Sequence, residues 1–272
     1  MTALSAPASP SLPVSADGFE PPPIWFVAPD GFFALPLADT AEERAERAQE
    51  FVRGLYSRGD ESIWEPAAEY YAAIAETMAG TGASYAAMGL FSTAEDGALE
   101  GATVKGDTAA SKDQPDGGHE PSLGVVQCAF TLAVVPTERH PDDPSQAAGR
   151  ILETLSRDQY NDARPLDLPC GPAVSCITLT EYHLNPEITA TGEATKLLTG
   201  QIQVHIPFPT GPFTAVFTLH TASTDYWAEF CDVMTTILRT VSFEEPEIEF
   251  VDEDGDEPSG VERDATREPA ER

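Results

Sequence analysis

Apolar residues recur along this chain at two periods, and the places where the period changes mark the elements. Two short apolar runs, 24–27 and 32–37, flank Ala28-Pro29-Asp30-Gly31. Proline sets φ and glycine accepts positive φ there, so a hairpin or sharp bend is predicted. Thr40 and Glu43 form a capping box, and Ala41, Ala45, Ala48, Val52 and Leu55 follow at spacings of three and four. That pattern predicts a helix ending near Gly59. Ser62 with Glu65 repeats the capping signature, and Ile63, Ala67, Tyr70, Ile74 and Met78 continue a second helix to Gly80 and Gly82.

Residues 83–91 read as a strand. Further on, Gly124, Val126, Cys128, Phe130, Leu132 and Val134 keep a strict period of two, the mark of a long strand with one apolar face. Asp143 before Pro144 is an N-cap and first-turn pair, and Ala147, Ile151, Leu152 and Leu155 give a third helix its apolar stripe. Beyond Leu168-Pro169-Cys170-Gly171-Pro172 come β-rich segments at 173–184, 197–208 and 213–221, the last two joined through Pro209-Thr210-Gly211-Pro212. A last helix over 223–240 places Trp227, Phe230, Cys231, Met234 and Leu238 on one side, and 241–243 finish the fold. Strands that follow one another through turns, with helices gathered at both ends, predict an α+β fold: a mainly antiparallel sheet with helices packed on it.

The closing order of hairpin, helix through Ile237-Leu238-Arg239-Thr240, and Val241-Ser242-Phe243 resembles the C-terminal end of the Mog1/PsbP-like fold. The opening Trp25, Pro29-Asp30-Gly31-Phe32 and Pro36 resemble the extended entry segment of the same group. Two consecutive helices after the entry and a long acidic loop depart from the family pattern. The resemblance implies a binding or assembly factor and carries over no active site. In composition the chain resembles actinobacterial proteins, which implies a source and no activity.

Charge changes the picture next. The 272 residues hold 46 acidic and 15 basic side chains, a net of -31. Binding to a phosphate backbone is disfavoured, so no nucleic-acid partner is expected. The charge is uneven. Residues 244–272 carry thirteen acids and three bases, and 92–122 carry seven acids and two lysines among small polar residues. Both segments read as disordered, as does the Pro/Ser/Ala-rich arm 1–23, which leaves a single α+β domain over 24–243. The opening residues lack the basic start and apolar core of an export signal, and no run suits a membrane span, so a cytoplasmic protein without membrane contact is expected. Four cysteines in such a chain read as reduced thiols, with Cys128 and Cys231 at core positions.

Candidate chemistry is sparse. The sequence has no nucleophile elbow, no S-x-x-K, no phosphate-binding glycine loop and no C-x-x-C, and Cys170 and Cys176 stand six apart. No catalytic residue, metal ligand or cofactor is assigned. His119 and His140 fall in connectors, whereas His183, His205 and His220 sit in strands, His205 opposite the Ile202, Val204 and Ile206 set. The hairpin tip with Phe208 and Phe213 between prolines is either a contact surface or a pair of rings tucked over the sheet edge. Phe208, Phe213 and His205 are the candidate partner contacts. The expected function is non-enzymatic protein-protein interaction or assembly, with an unidentified protein partner for which the acidic charge suits a basic one. The alternative is a small-molecule-binding protein or unrecognised enzyme with a pocket between sheet and helix pair, lined by Trp64, Tyr70, Tyr71 and Tyr85, residues that also suit a core.

Overall fold

The computed structural model describes residues 21–56, 61–93, 99–101, 124–137, 143–189 and 192–246. The fold is α+β, built on one antiparallel sheet. Its strands are β1 (Phe32–Ala34), β2 (Ala83–Thr93), β3 (Leu99–Gly101), β4 (Val125–Pro136), β5 (Asp162–Leu168), β6 (Gly171–Leu184), β7 (Thr195–Pro207) and β8 (Phe213–Thr221). They lie in the order β1-β2-β4-β8-β7-β6-β5, with β3 also paired to β2. The helices are α1 (Ala41–Leu55), α2 (Trp64–Gly80), α3 (Pro144–Leu155) and α4 (Trp227–Arg239). No helix among the described residues is long and apolar enough to cross a membrane.

Strand alternation assigns every side chain to one of two faces. One face carries Phe91, Phe130, Leu132, Phe217, Leu219, Val204 and Ile206 and is covered by Phe230, Met234, Ile237 and Leu238 of α4 in a single buried cluster. The entry segment closes the same side. Trp25 and Ser242 exchange backbone hydrogen bonds, Trp25 N donating at 2.8 Å and Ser242 N at 2.9 Å, and the Phe26 ring meets Tyr85 and Phe217 edge-on. The opposite face is covered only at its two ends. Ala48, Val52, Leu55, Ala68 and Tyr71 of α1 and α2 pack with Phe33, Met88 and Leu90 over β1 and β2, and α3 lies over β5, β6 and β7.

The helix starts follow the chemistry of their caps. Thr40 Oγ1 accepts from Glu43 N at 3.2 Å, and Asp143 Oδ1 accepts from Ser145 N at 2.9 Å. At α2 the expectation is corrected: a 3-10 turn, Glu61–Ile63, leads in, and Ile63 occupies the cap position with no side-chain hydrogen bond. Residues 28–31 form a bend rather than a hairpin. Gly31 takes φ 98° and β1 pairs with β2 instead of with residues 24–27, which contribute the bridge from Trp25 to Ser242. Residues 241–243 likewise contribute that bridge and no strand. The acidic segment 92–122 is not loop throughout: Ser92 and Thr93 finish β2, and Leu99–Gly101 pair with it. The rest of that segment, with the arm 1–20 and the tail from 247, lies outside the described residues. A strand went unforeseen at Asp162–Leu168, whose Arg164, Pro165 and Asp167 mask its alternation.

Gly200 shows how closely α4 is keyed to the sheet. A Cβ at that position would run into the six-membered ring of Trp227, the first residue of α4. Gly200→Ala should therefore force the indole or the helix start to shift, a cost of about 1–3 kcal/mol for overpacking. Chemical denaturation of the variant beside the parent checks this, with a lowered midpoint and unchanged slope as the expected result.

Candidate functional site

Between α2 and α3, strands β4 and β8 present a face that no described helix covers, and it runs onto β7, which α3 partly overlies. Their register forms three cross-strand rows: Ala129, His220 and Gln201; Thr131, Thr218 and Gln203; Ala133, Val216 and His205. Ala129 and its neighbour Gln127 are exposed, and the remaining members of the rows are half-buried. The next residues of the last two rows, Cys176 and Val174 on β6, are 3% and 1% exposed beneath α3. The site is thus an open trough with a sheet floor and a helix at either side.

Its chemistry is set by what is missing. Strands β4 and β8 contain no Asp, Glu, Lys or Arg, and the single charge in β7 is Lys196, near the strand's far end. In a chain that is 22% charged and carries -31, an outward sheet face of Gln, Thr, His and Ala is the opposite of a solubility surface. Charged residues are depleted at the centres of interfaces because each must be desolvated when a partner arrives. Amide and hydroxyl groups donate and accept, so this floor can meet either polarity of hydrogen-bonding group. The two alanines of β4 leave room above the backbone.

His205 stands at the foot of α3, between Val174 and Val216. Its Nε2 is buried and has no hydrogen-bond partner among the described residues. Burial pushes its pKa below the ordinary 6.5, so the ring is neutral at physiological pH. It lies on the trough floor, apart from the other two candidate contacts. Phe208 and Phe213 are each 2% exposed, 6.1 Å apart edge-to-face, and Phe208 also packs on Phe243 at 4.7 Å. Of the two arrangements open to the hairpin tip, the rings adopt the tucked one, because Phe208 N donates to Phe213 O and turns both strand ends over the core.

The aromatic pocket does not form. Tyr85 is on the α4 face against Phe26 and Phe130, whereas Tyr71 lies between α1 and α2, 4.7 Å from Phe51 and hydroxyl to hydroxyl with Tyr56 at 3.3 Å. Tyr70 is 64% exposed. The thiols are unpaired, and burial pushes Cys128 up to about 12. Among the described residues no group of three or more His, Cys, Asp or Glu side chains could hold a metal ion. His183 lies elsewhere, 3.3 Å from Glu181, and His119 and His140 fall outside the described residues. Sequence reasoning missed Gln127, Ala129, Thr131 and Ala133, although three strands almost free of charge were there to be read.

A depressed histidine pKa contributes stability that is fully present above the unfolded value, near 6.5, and is lost as pH falls through the lower folded value. His205→Leu should remove that part of the acid sensitivity. Melting temperatures of parent and variant between pH 7.5 and 5 should fall less for the variant, and parallel curves would show that the imidazole is solvated. No protein-family model and no curated protein matches this chain.

Proposed function

We propose that the protein is a non-enzymatic binding or assembly factor that receives a segment of a protein partner on the uncharged floor of β4, β8 and β7. The observation that carries this reading is the outward face without charge on a chain of net charge -31. The surroundings favour a partner with basic flanks: α2 carries Glu65, Glu69 and Glu76 and no basic residue. Flanking charge of this kind speeds encounter, while the neutral floor sets the fit. The resemblance of residues 25–36 and of the closing hairpin, helix and 241–243 to Mog1/PsbP-like binding factors points the same way. A small neutral ligand on the same floor is the second reading, favoured by the buried, unpartnered Nε2 of His205.

A photo-crosslinking residue at Ala129, with one at the exposed Glu50 of α1 as control, tests the site in native extract. Adduct formation with a specific protein at Ala129 alone is the expected outcome. Equal labelling at both positions would sink the floor as a docking site. Ala129→Arg should leave the melting temperature nearly unchanged, because an exposed substitution shifts stability by only about 0.5 kcal/mol. The same change should weaken partner capture at least tenfold, whereas a small ligand would register as a thermal shift with no protein adduct.

A further inference from the structure

Strand β6 outruns its neighbour. Pairing with β5 stops at Ile177, yet β6 continues to Leu184, and β7 is joined to β8 only from Gly200 onward. Residues 178–184 and 195–199 therefore form a two-stranded arm beyond the sheet. Among the described residues no strand pairs with its outer edges. The arm exposes apolar side chains on both faces: Leu179 is 61%, Tyr182 49% and Leu198 44% exposed. The true sheet edges are guarded differently, β1 by being three residues long and β5 by Pro165. The edge of the arm has neither guard.

We propose that the arm joins two copies of this chain, residues 180–184 of β6 pairing antiparallel with the same segment of a second copy about a two-fold axis at Tyr182. The occupant follows from charge complementarity. Two chains of -31 repel except where charge is balanced, and Glu181 is balanced by Lys196 at 2.9 Å. Antiparallel pairing about Tyr182 sets the two tyrosine rings opposite one another and Thr180 opposite Leu184. It sets Glu181 opposite His183 of the second copy, a favourable cross-strand pair. An axis at Glu181 would oppose two carboxylates instead. Self-pairing at Tyr182 also satisfies the outward N–H and C=O groups of the edge, which a two-stranded ribbon leaves open.

Register makes the test specific. In the full chain, Tyr182→Cys brings its thiols within disulfide reach across the axis, whereas Glu181→Cys sits two residues from its twin and out of reach. Mild oxidation should give a covalent dimer for Tyr182→Cys and little for Glu181→Cys or for the parent with its four native cysteines. Sedimentation at high-micromolar concentration should show a dimer for the parent and a monomer for Tyr182→Lys, whose circular dichroism matches the parent's and whose melting temperature matches it at dilute concentration, where both are monomers, because the position is exposed. A monomeric parent, or equal cross-linking at both cysteine positions, would overturn the proposal, and neither result bears on docking at the trough floor.

Discussion

The fold depends on the alternation along β4, β8 and β7. Phe130, Phe217, Leu219 and Ile206 are completely buried and Val204 is 1% exposed, and the period of two then leaves Thr131, Thr218 and Gln203 no choice but the other side. Burying each large apolar side chain is worth about 1.5–3 kcal/mol. A slip of one residue would send glutamine and threonine under α4 and phenylalanine into water, so register is strongly fixed. The core and the uncharged floor are two results of one alternation.

Legibility in the sequence followed how local the physics was. Helix α1 was readable because Thr40 caps it from three residues away, α3 because Asp143 and Pro144 start it, and β4 because its alternation runs unbroken. β5 was hidden because its exposed edge position lets Asp162, Arg164, Pro165 and Asp167 break the pattern, and Asp162 and Arg164 are joined to one another at 2.9 Å rather than to the core. β3 was hidden inside an acidic stretch. The trough required knowing that α3 crosses β6 while α1 and α2 crowd onto β1 and β2, and nothing local in 143–155 or 40–80 encodes that choice of face. Tyr85 failed as a pocket residue for the same reason, since its face is set by pairing with Leu132.

The electrostatic layout divides labour between regions. Acidic residues cluster on α2 and the chain's distal segments, and several of the ion pairs among the described residues are local and exposed, such as Arg157 with Glu153 and Arg164 with Asp162. Pairs of that kind contribute little to stability. The structure is held instead by aromatic contacts on the α4 face, where Phe26, Phe32, Phe91, Phe130 and Phe217 meet mostly edge-to-face. That division lets surface charge be set by solubility and encounter without disturbing the interior.

The bridge between Trp25 and Ser242 has a consequence for the life of the chain at the ribosome. Phe26 reaches its place only when Phe217 of β8 exists, and Val27 N donates to the hydroxyl of Thr240, at the end of α4. The entry segment is therefore made before the elements it packs on and is among the last to be housed. Contacts so distant along the chain slow folding and leave apolar surface open meanwhile. Once the bridge closes, both ends of the body emerge side by side, so that a new sequence break elsewhere, with the old ends joined by a short linker, would preserve every strand pairing of the sheet.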